Sequence, residues 1–201
     1  MVRHGLTQWN ADGIWQGWTD VPLSRTGEEQ ADRAGTSLAE LGLRFAHIVS
    51  SDLARAHQTA VRMAVAVGFD PDEIMLEPSL RERNIGAWSG RRTDEIEAEW
   101  PGQLAAWRRG ELISPPDGET ETALLTRCTE AINRLICRDE MTLVVTHGGV
   151  IRTIERHYGA EYRSVPNVGG RWFARSPRGR VVPGDVLDLL GEGRVTGTTS
   201  L

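Results

Sequence analysis

The run Thr142-Leu143-Val144-Val145-Thr146 constrains the fold of this chain more than any other stretch. Its apolar residues do not alternate with polar ones, so the strand they form is buried on both faces. Such a strand needs helices above and below it, and the residues from Gly149 to Tyr158 supply one directly. Ala46-His47-Ile48-Val49-Ser50 reads as a second buried strand, Ile74-Met75-Leu76-Glu77 as a third, and Asp185 to Leu190 as the last. Helices fall between them. One is capped by Thr26, carries Glu28 and Glu29 in its first turn, buries Ala31, Ala34, Leu38 and Leu41, and stops at Gly42. The next is capped by Ser51 or Asp52, buries Ala56, Ala60, Met63 and Val67, and stops at Gly68. A long helix from Glu119 to about Arg138 turns Leu124, Cys128, Ile132 and Leu135 inward. This alternation predicts an α/β fold: a three-layer αβα sandwich with a mainly parallel central sheet.

Two stretches do not fit the alternation. Residues 80–118 hold Gly86, Gly90, Pro101, Pro115 and Pro116 and read as a small cap-like insertion, with short helices near 93–100 and 102–109. Trp100 and Trp107, seven apart, are expected on one helical face in the cap's core. Residues 11–25 form a loop that Trp15 and Trp18 pin to the body. Neither repeat nor linker is visible, so the 201 residues make one domain.

Composition narrows the chemistry. Net charge is −5, which disfavours nucleic acid as a partner. All 23 basic residues are arginine. The lysine of a phosphate-binding loop, a Schiff-base lysine and a lysine general base are therefore excluded, and arginine's rigid fork is the only strong anion clamp. Cys128 and Cys137 lie nine residues apart in one predicted helix, facing opposite ways with a rise of about 13 Å, beyond disulfide reach. They read as small buried hydrophobes of a reducing compartment. With no apolar leader before Arg3 and no apolar run of membrane length, a soluble cytoplasmic protein without a membrane partner is expected.

The chemistry-bearing residues cluster at predicted strand ends. Arg3-His4-Gly5 opens the chain after at most a two-residue strand, with Thr7 and Asn10 close behind. Gly5 is read as a place where backbone closely approaches a bound group. Arg55 follows the Ser50-Ser51-Asp52 turn, Glu82 lies within Leu80-Arg81-Glu82, and His147-Gly148-Gly149 follows the most apolar strand. In open parallel sheets, ligands bind outside the carboxyl ends of the strands. Two histidines and at least two arginines meeting there would make a cationic pocket suited to a phosphoryl group. No metal-binding pattern accompanies them, and no cofactor is implied. Arginines and histidines would then neutralise the transferring phosphoryl oxygens, one imidazole would attack phosphorus, and a carboxylic acid would protonate the leaving oxygen. Glu82 is the preferred acid over Glu77 and Glu119. His47 and His57 read as structural or exposed. Arg91, Arg92, Arg108 and Arg109 read as a solvated face, of which one pair could reach a second anionic group.

Taken together, Arg3-His4-Gly5 with Thr7 and Asn10, Ser51-Asp52-Leu53-x-Arg55-Ala56-x-x-Thr59-Ala60, Leu80-x-Glu82 with Gly86-x-Trp88-x-Gly90, Pro116-x-Gly118-Glu119 and Val145-Thr146-His147-Gly148-Gly149 resemble the histidine phosphatase superfamily. That group includes cofactor-dependent phosphoglycerate mutases and many small phosphatases. The resemblance covers roughly residues 1–155. It implies His4 as the phosphorylated nucleophile, Glu82 as proton donor, and Arg3, Arg55 and His147 as a phosphate clamp assisted by Asn10 and the Gly148 amide. It also implies that Gln16 and Gly17, with Thr7, meet the substrate. Gly17-Trp18-Thr19-Asp20-Val21-Pro22-Leu23 and Trp107-Arg108-Arg109 resemble the mutases. The mutases, however, carry a tyrosine three positions after the acid and a nearby lysine, whereas this chain has Ile85 and no lysine. Pro116-Asp117-Gly118-Glu119-Thr120 resembles the phosphatase form. The expected activity is a metal-independent phosphomonoesterase on a small phosphorylated metabolite, with a mutase and a silent phospho-ligand-binding protein as the alternatives. A homodimer is compatible with all of this.

Overall fold

A computed structural model describes residues 1–136, 140–161 and 163–191. Six strands form one sheet: β1 (Val2–Arg3), β2 (His47–Ser50), β3 (Met75–Leu76), β4 (Thr142–Thr146), β5 (Gly169–Arg175) and β6 (Val181–Asp188), in the order β3-β2-β4-β1-β5-β6. β3, β2, β4 and β1 pair in parallel, while β5 and β6 add an antiparallel hairpin against β1. The hairpin is the main departure from the expected sheet. Gly169-Gly170 hides β5 from a propensity reading, yet a Cβ on Gly170 would lie 2.0 Å from the Met1 carbonyl oxygen, so this strand needs glycine to pair with β1. The last strand also begins earlier than expected, at Val181.

Side-chain alternation divides the core in two. Ile48, Leu143 and Val145 face α2 (Arg25–Glu40) and α3 (Ala54–Val67), packing on Ala34, Leu38, Ala56, Ala60 and Met63. Val49 and Val144 face α6 (Glu121–Ile136) and α7 (Gly148–His157), packing on Leu124, Cys128, Ile132, Val150 and Ile154. Full burial of a side chain such as Leu38 or Ile154 contributes about 1.5–3 kcal/mol. Cys128 is buried, which pushes its thiol pKa up to about 12, while Cys137 lies outside the described residues. A third cluster fills the cap: Ile85, Trp88, Ile96 and Leu104 with Trp15, Trp100 and Trp107.

Several local expectations give way to tertiary contacts. Ser24, rather than Thr26, caps α2, its hydroxyl accepting from the Gly27 amide at 3.1 Å, and Leu41 is exposed past the last turn. Neither Ser51 nor Asp52 caps α3. Asp52 is drawn to Arg81 and Ser51 to His147, and the Ala54 amide donates to Asp20 instead. A short helix, α1 (Gln8–Ala11), opens the loop that follows β1. Trp100 ends α4 (Thr93–Glu99) and Trp107 lies in α5 (Gln103–Arg108), so the two share a cluster and not a helical face. Among the described residues no helix is long and apolar enough to cross a membrane.

Candidate active site

The parallel strands end on one side of the sheet, and their exits bring His4, Arg55 and His147 together. His4 follows β1, Arg55 lies in the first turn of α3 after β2, and His147 follows β4 as the N-cap of α7. The His4 and His147 rings stand 5.2 Å apart, centroid to centroid, tilted by 59°. Both are buried, and both are held well below the usual histidine pKa, first by desolvation and then by the positive charges of Arg55 and Arg3. Both imidazoles are therefore neutral at pH 7, and their hydrogen bonds fix where the single proton sits. His4 Nδ1 lies 2.7 Å from the Gly5 carbonyl oxygen, which can only accept. The proton is on Nδ1 and Nε2 carries the lone pair. His147 Nε2 lies 2.9 Å from Ser51 Oγ, a hydroxyl that also accepts from the Leu53 amide at 3.4 Å. When the Ser51 hydrogen is given to Nε2, His147 Nδ1 carries the ring proton and is a donor.

The two arginines are fixed by their outer nitrogens. Arg55 donates from Nη1 to Thr19 O at 2.9 Å and from Nη2 to Gly17 O at 2.8 Å, and Arg3 donates from Nη1 to Val165 O at 2.7 Å. Arg3 Nε, Arg55 Nε and His147 Nδ1 are buried and have no protein partner. Three buried donors left unpaired near a neutral imidazole cost free energy unless an acceptor-rich group visits them. Burial also lowers the Arg55 pKa to about 10, so the guanidinium stays charged.

Glu82 reaches the same cleft from the loop after β3. Its Oε1 accepts from the Arg83 amide at 2.9 Å and its Oε2 from the Gly149 amide at 3.0 Å. A Cβ on Gly149 would fall 2.1 Å from Glu82 Oε1. The rival acids are committed elsewhere, Glu77 to the Ser79 amide and Arg134, Glu119 to Arg127. Gly149→Ala should therefore push the carboxylate aside while the fold survives, because the clash is with the end of a flexible side chain. We expect turnover of alkyl phosphates to fall about 10²–10³-fold with little change in melting temperature. Steady-state kinetics beside a thermal melt check this.

The cleft has a volume of about 950 Å³ and is lined by Arg3, His4, Asn10, Gln16, Gly17, Arg55 and Glu82, among others. Seven arginines and two glutamates line it, a strongly positive cleft in a protein of net charge −5. Arg108 and Arg109 belong to this lining and not to a remote solvated face. Three expected contact residues do not line it, of which His147 is fully buried. Thr7 is buried as the N-cap of α1, its Oγ accepting from the Asn10 amide at 3.1 Å, and Gly148 packs against the Arg3 side chain. At Gly5 the close approach is to Gly27 of α2, whose carbonyl oxygen a Cβ would overlap. Among the described residues no group of three or more His, Cys, Asp or Glu side chains is arranged to hold a metal ion.

Sequence reading missed several residues that build this site. Ser51 orients His147, and Thr59 Oγ accepts from the Gly5 amide at 3.0 Å. Thr59 sits within a quoted motif without a role, and Ser51 is read only as a candidate helix cap. Val165, Asn167 and Val168 brace the exit of β1. Asn167 Nδ2 donates to His4 O at 2.9 Å, and the Val168 amide to Arg3 O at 3.1 Å. Val168 adopts φ +53, a strained value for a β-branched residue, and nothing in sequence spacing marks it.

The model of the histidine phosphatase superfamily, branch 1, matches residues 1–166. A 2,3-bisphosphoglycerate-dependent phosphoglycerate mutase of Azorhizobium caulinodans is 35% identical over 159 residues, 77% of each chain. A mycobacterial glucosyl-3-phosphoglycerate phosphatase superposes with a TM-score of 0.79 at 27% identity, covering 91% of this chain and 95% of that one. A phosphoglycerate mutase of Thermus thermophilus gives 0.69 at 34%, covering 93% and 96%. The matched residues hold the neutral histidine at the end of the first strand, the second histidine heading the helix after the fourth, the buried Arg55 and the half-buried Arg3, and the chain belongs to the histidine phosphatase superfamily.

Proposed function

We propose that this protein is a metal-independent phosphomonoesterase that hydrolyses a small phosphorylated metabolite through a phosphohistidine on His4. The observation that carries the reading is the set of unpaired buried nitrogens, Arg3 Nε, Arg55 Nε and His147 Nδ1, on the two cations that act on His4 and on the histidine whose ring lies 5.2 Å from it, with the lone pair on His4 Nε2. A phosphoryl group offers the matching acceptor oxygens and negative charge. His4 Nε2 attacks phosphorus, the P–O bond to the leaving group breaks, and protonated Glu82 gives its proton to the departing oxygen. Water then attacks the phosphohistidine, Glu82 takes a proton from that water, and the P–N bond breaks to release orthophosphate. The arginines and His147 neutralise the oxygens throughout.

Release to water rather than transfer back to a substrate is supported by Ile85. It is buried against Gly17 at the position where the mutases carry a tyrosine, so the hydroxyl donor of that pattern is absent. The second reading, a phosphoglycerate mutase, is favoured by the mutase-named sequence relatives and by Arg108 and Arg109 lining the cleft. A phosphate-release assay in chelator separates them, run with p-nitrophenyl phosphate and with 3-phosphoglycerate, the latter with and without 2,3-bisphosphoglycerate. Free phosphate from either supports the phosphatase. Conversion of 3- to 2-phosphoglycerate with little free phosphate supports the mutase.

A further inference from the structure

Arg127 of α6 spends three N–H groups of its guanidinium on the segment that carries Glu82. Nη1 donates to Ser79 O and to Arg81 O, both at 2.7 Å, and Nη2 donates to Glu82 O at 2.9 Å. Nε and Nη2 also grip Glu119 through both carboxylate oxygens, at 2.7 and 2.9 Å. The remaining carbonyl of the segment, Leu80 O, accepts from the buried Thr146 hydroxyl at 2.7 Å, and Glu82 O takes a second bond from Trp18 Nε1. Four consecutive carbonyls, 79 to 82, are thus held by side chains from other elements where no strand or long helix holds them. Glu119 meanwhile closes the base of the cap: its amide donates to Asn84 O at 2.8 Å and its carboxylate accepts from the Asn84 amide at 3.2 Å. One ion pair therefore joins the acid's backbone to both ends of the cap insertion.

We propose that Arg127, clamped by Glu119, is a positioning residue for proton transfer by Glu82, fixing the height of its carboxyl in the cleft. The inference rests on the reading of Glu82 as the acid. Arg127 does not line the cleft, and a lysine there keeps the positive charge that acts on His147, so phosphate binding should be little changed in Arg127→Lys. A lysine at this place keeps the charge but has at most three N–H groups, so it cannot hold three carbonyls and a bidentate carboxylate together. A displaced carboxyl harms only substrates whose leaving oxygen needs a proton.

The test compares wild type, Arg127→Lys, Glu82→Gln and the double variant on an alkyl phosphate and on 2,4-dinitrophenyl phosphate, with inorganic phosphate as inhibitor. Arg127→Lys should lower kcat on the alkyl ester about 10–100-fold and on the activated ester less than about 3-fold, with phosphate inhibition unchanged. In the Glu82→Gln background it should add less than about 2-fold, because the group being positioned is gone. Equal losses on both esters, or losses that multiply with those of Glu82→Gln, would reduce Arg127 to a purely structural role and overturn the proposal alone. If Glu82→Gln itself shows no leaving-group selectivity, the acid assignment falls and the proposal falls with it.

Discussion

His4→Ala is expected to lower kcat by on the order of 10⁴–10⁶-fold, the scale seen when a covalent nucleophile is removed. It should also leave no acid-labile phosphoenzyme after rapid quenching with radiolabelled substrate. The fold should survive, because what His4 contributes to it is mostly main chain. Its amide donates to Thr146 O at 2.9 Å and its carbonyl accepts from Asn167 Nδ2, and neither bond needs the imidazole. The ring itself is a buried neutral group with one hydrogen bond, to Gly5 O, and two cations nearby that oppose its protonation. A variant that keeps a phosphoenzyme would move the nucleophile elsewhere. His147, 5.2 Å away, would be the first place to look, although the Ser51 hydroxyl occupies its Nε2.

Arg55→Met is expected to damage the site and the fold together. The side chain is buried and ties the loop carrying Gln16 and Gly17 to α3 through the carbonyls of Gly17 and Thr19. Orphaning two acceptors costs about 1–3 kcal/mol each, so the melting temperature should drop clearly. Losing the buried one of the two proposed phosphate-binding cations should lower kcat/KM by about 10²–10⁴-fold. A third consequence is specific to this geometry. After burial, Arg55 is the largest charge-based cause of the lowered pKa of both histidines, so both should titrate closer to the ordinary histidine value in the variant. The sign for stability follows. The native wild type binds fewer protons on these histidines than the unfolded chain does, so their contribution is present above about pH 6.5 and is lost as pH falls from there. In Arg55→Met that acid-sensitive window should narrow. NMR titration of the imidazole resonances, beside melts across pH, checks both statements. Histidine pKa values unchanged by the substitution would remove Arg55 from the electrostatics of the site.

The order of elements was legible because the signals are local and strong. Unbroken apolar strands such as Leu143-Val144-Val145 demand two covered faces, and the faces of α2, α3 and α6 are written in their helical spacing. Those strands place His4, Arg55 and His147 at their carboxyl ends, so the core of the site could be named from residue order alone. Caps failed where a polar side chain had a better offer from afar. Asp52 and Ser51 gave up α3 for Arg81 and His147, since a charge-assisted or buried hydrogen bond outweighs an exposed cap. The β5–β6 hairpin failed for the opposite reason, since its glycines serve a neighbour's backbone and carry no signal of their own.

The sequence by itself thus determined the α/β layering, the family and the residues that converge. The unpaired Nε groups of Arg3 and Arg55, the neutrality of both histidines and the grip of Arg127 on the acid's segment were decided only by the tertiary structure. Layering follows from periodicity within a dozen residues. A desolvated charge or an unpaired donor depends on atoms dozens to more than a hundred residues away in the chain, and only the closed fold brings them together.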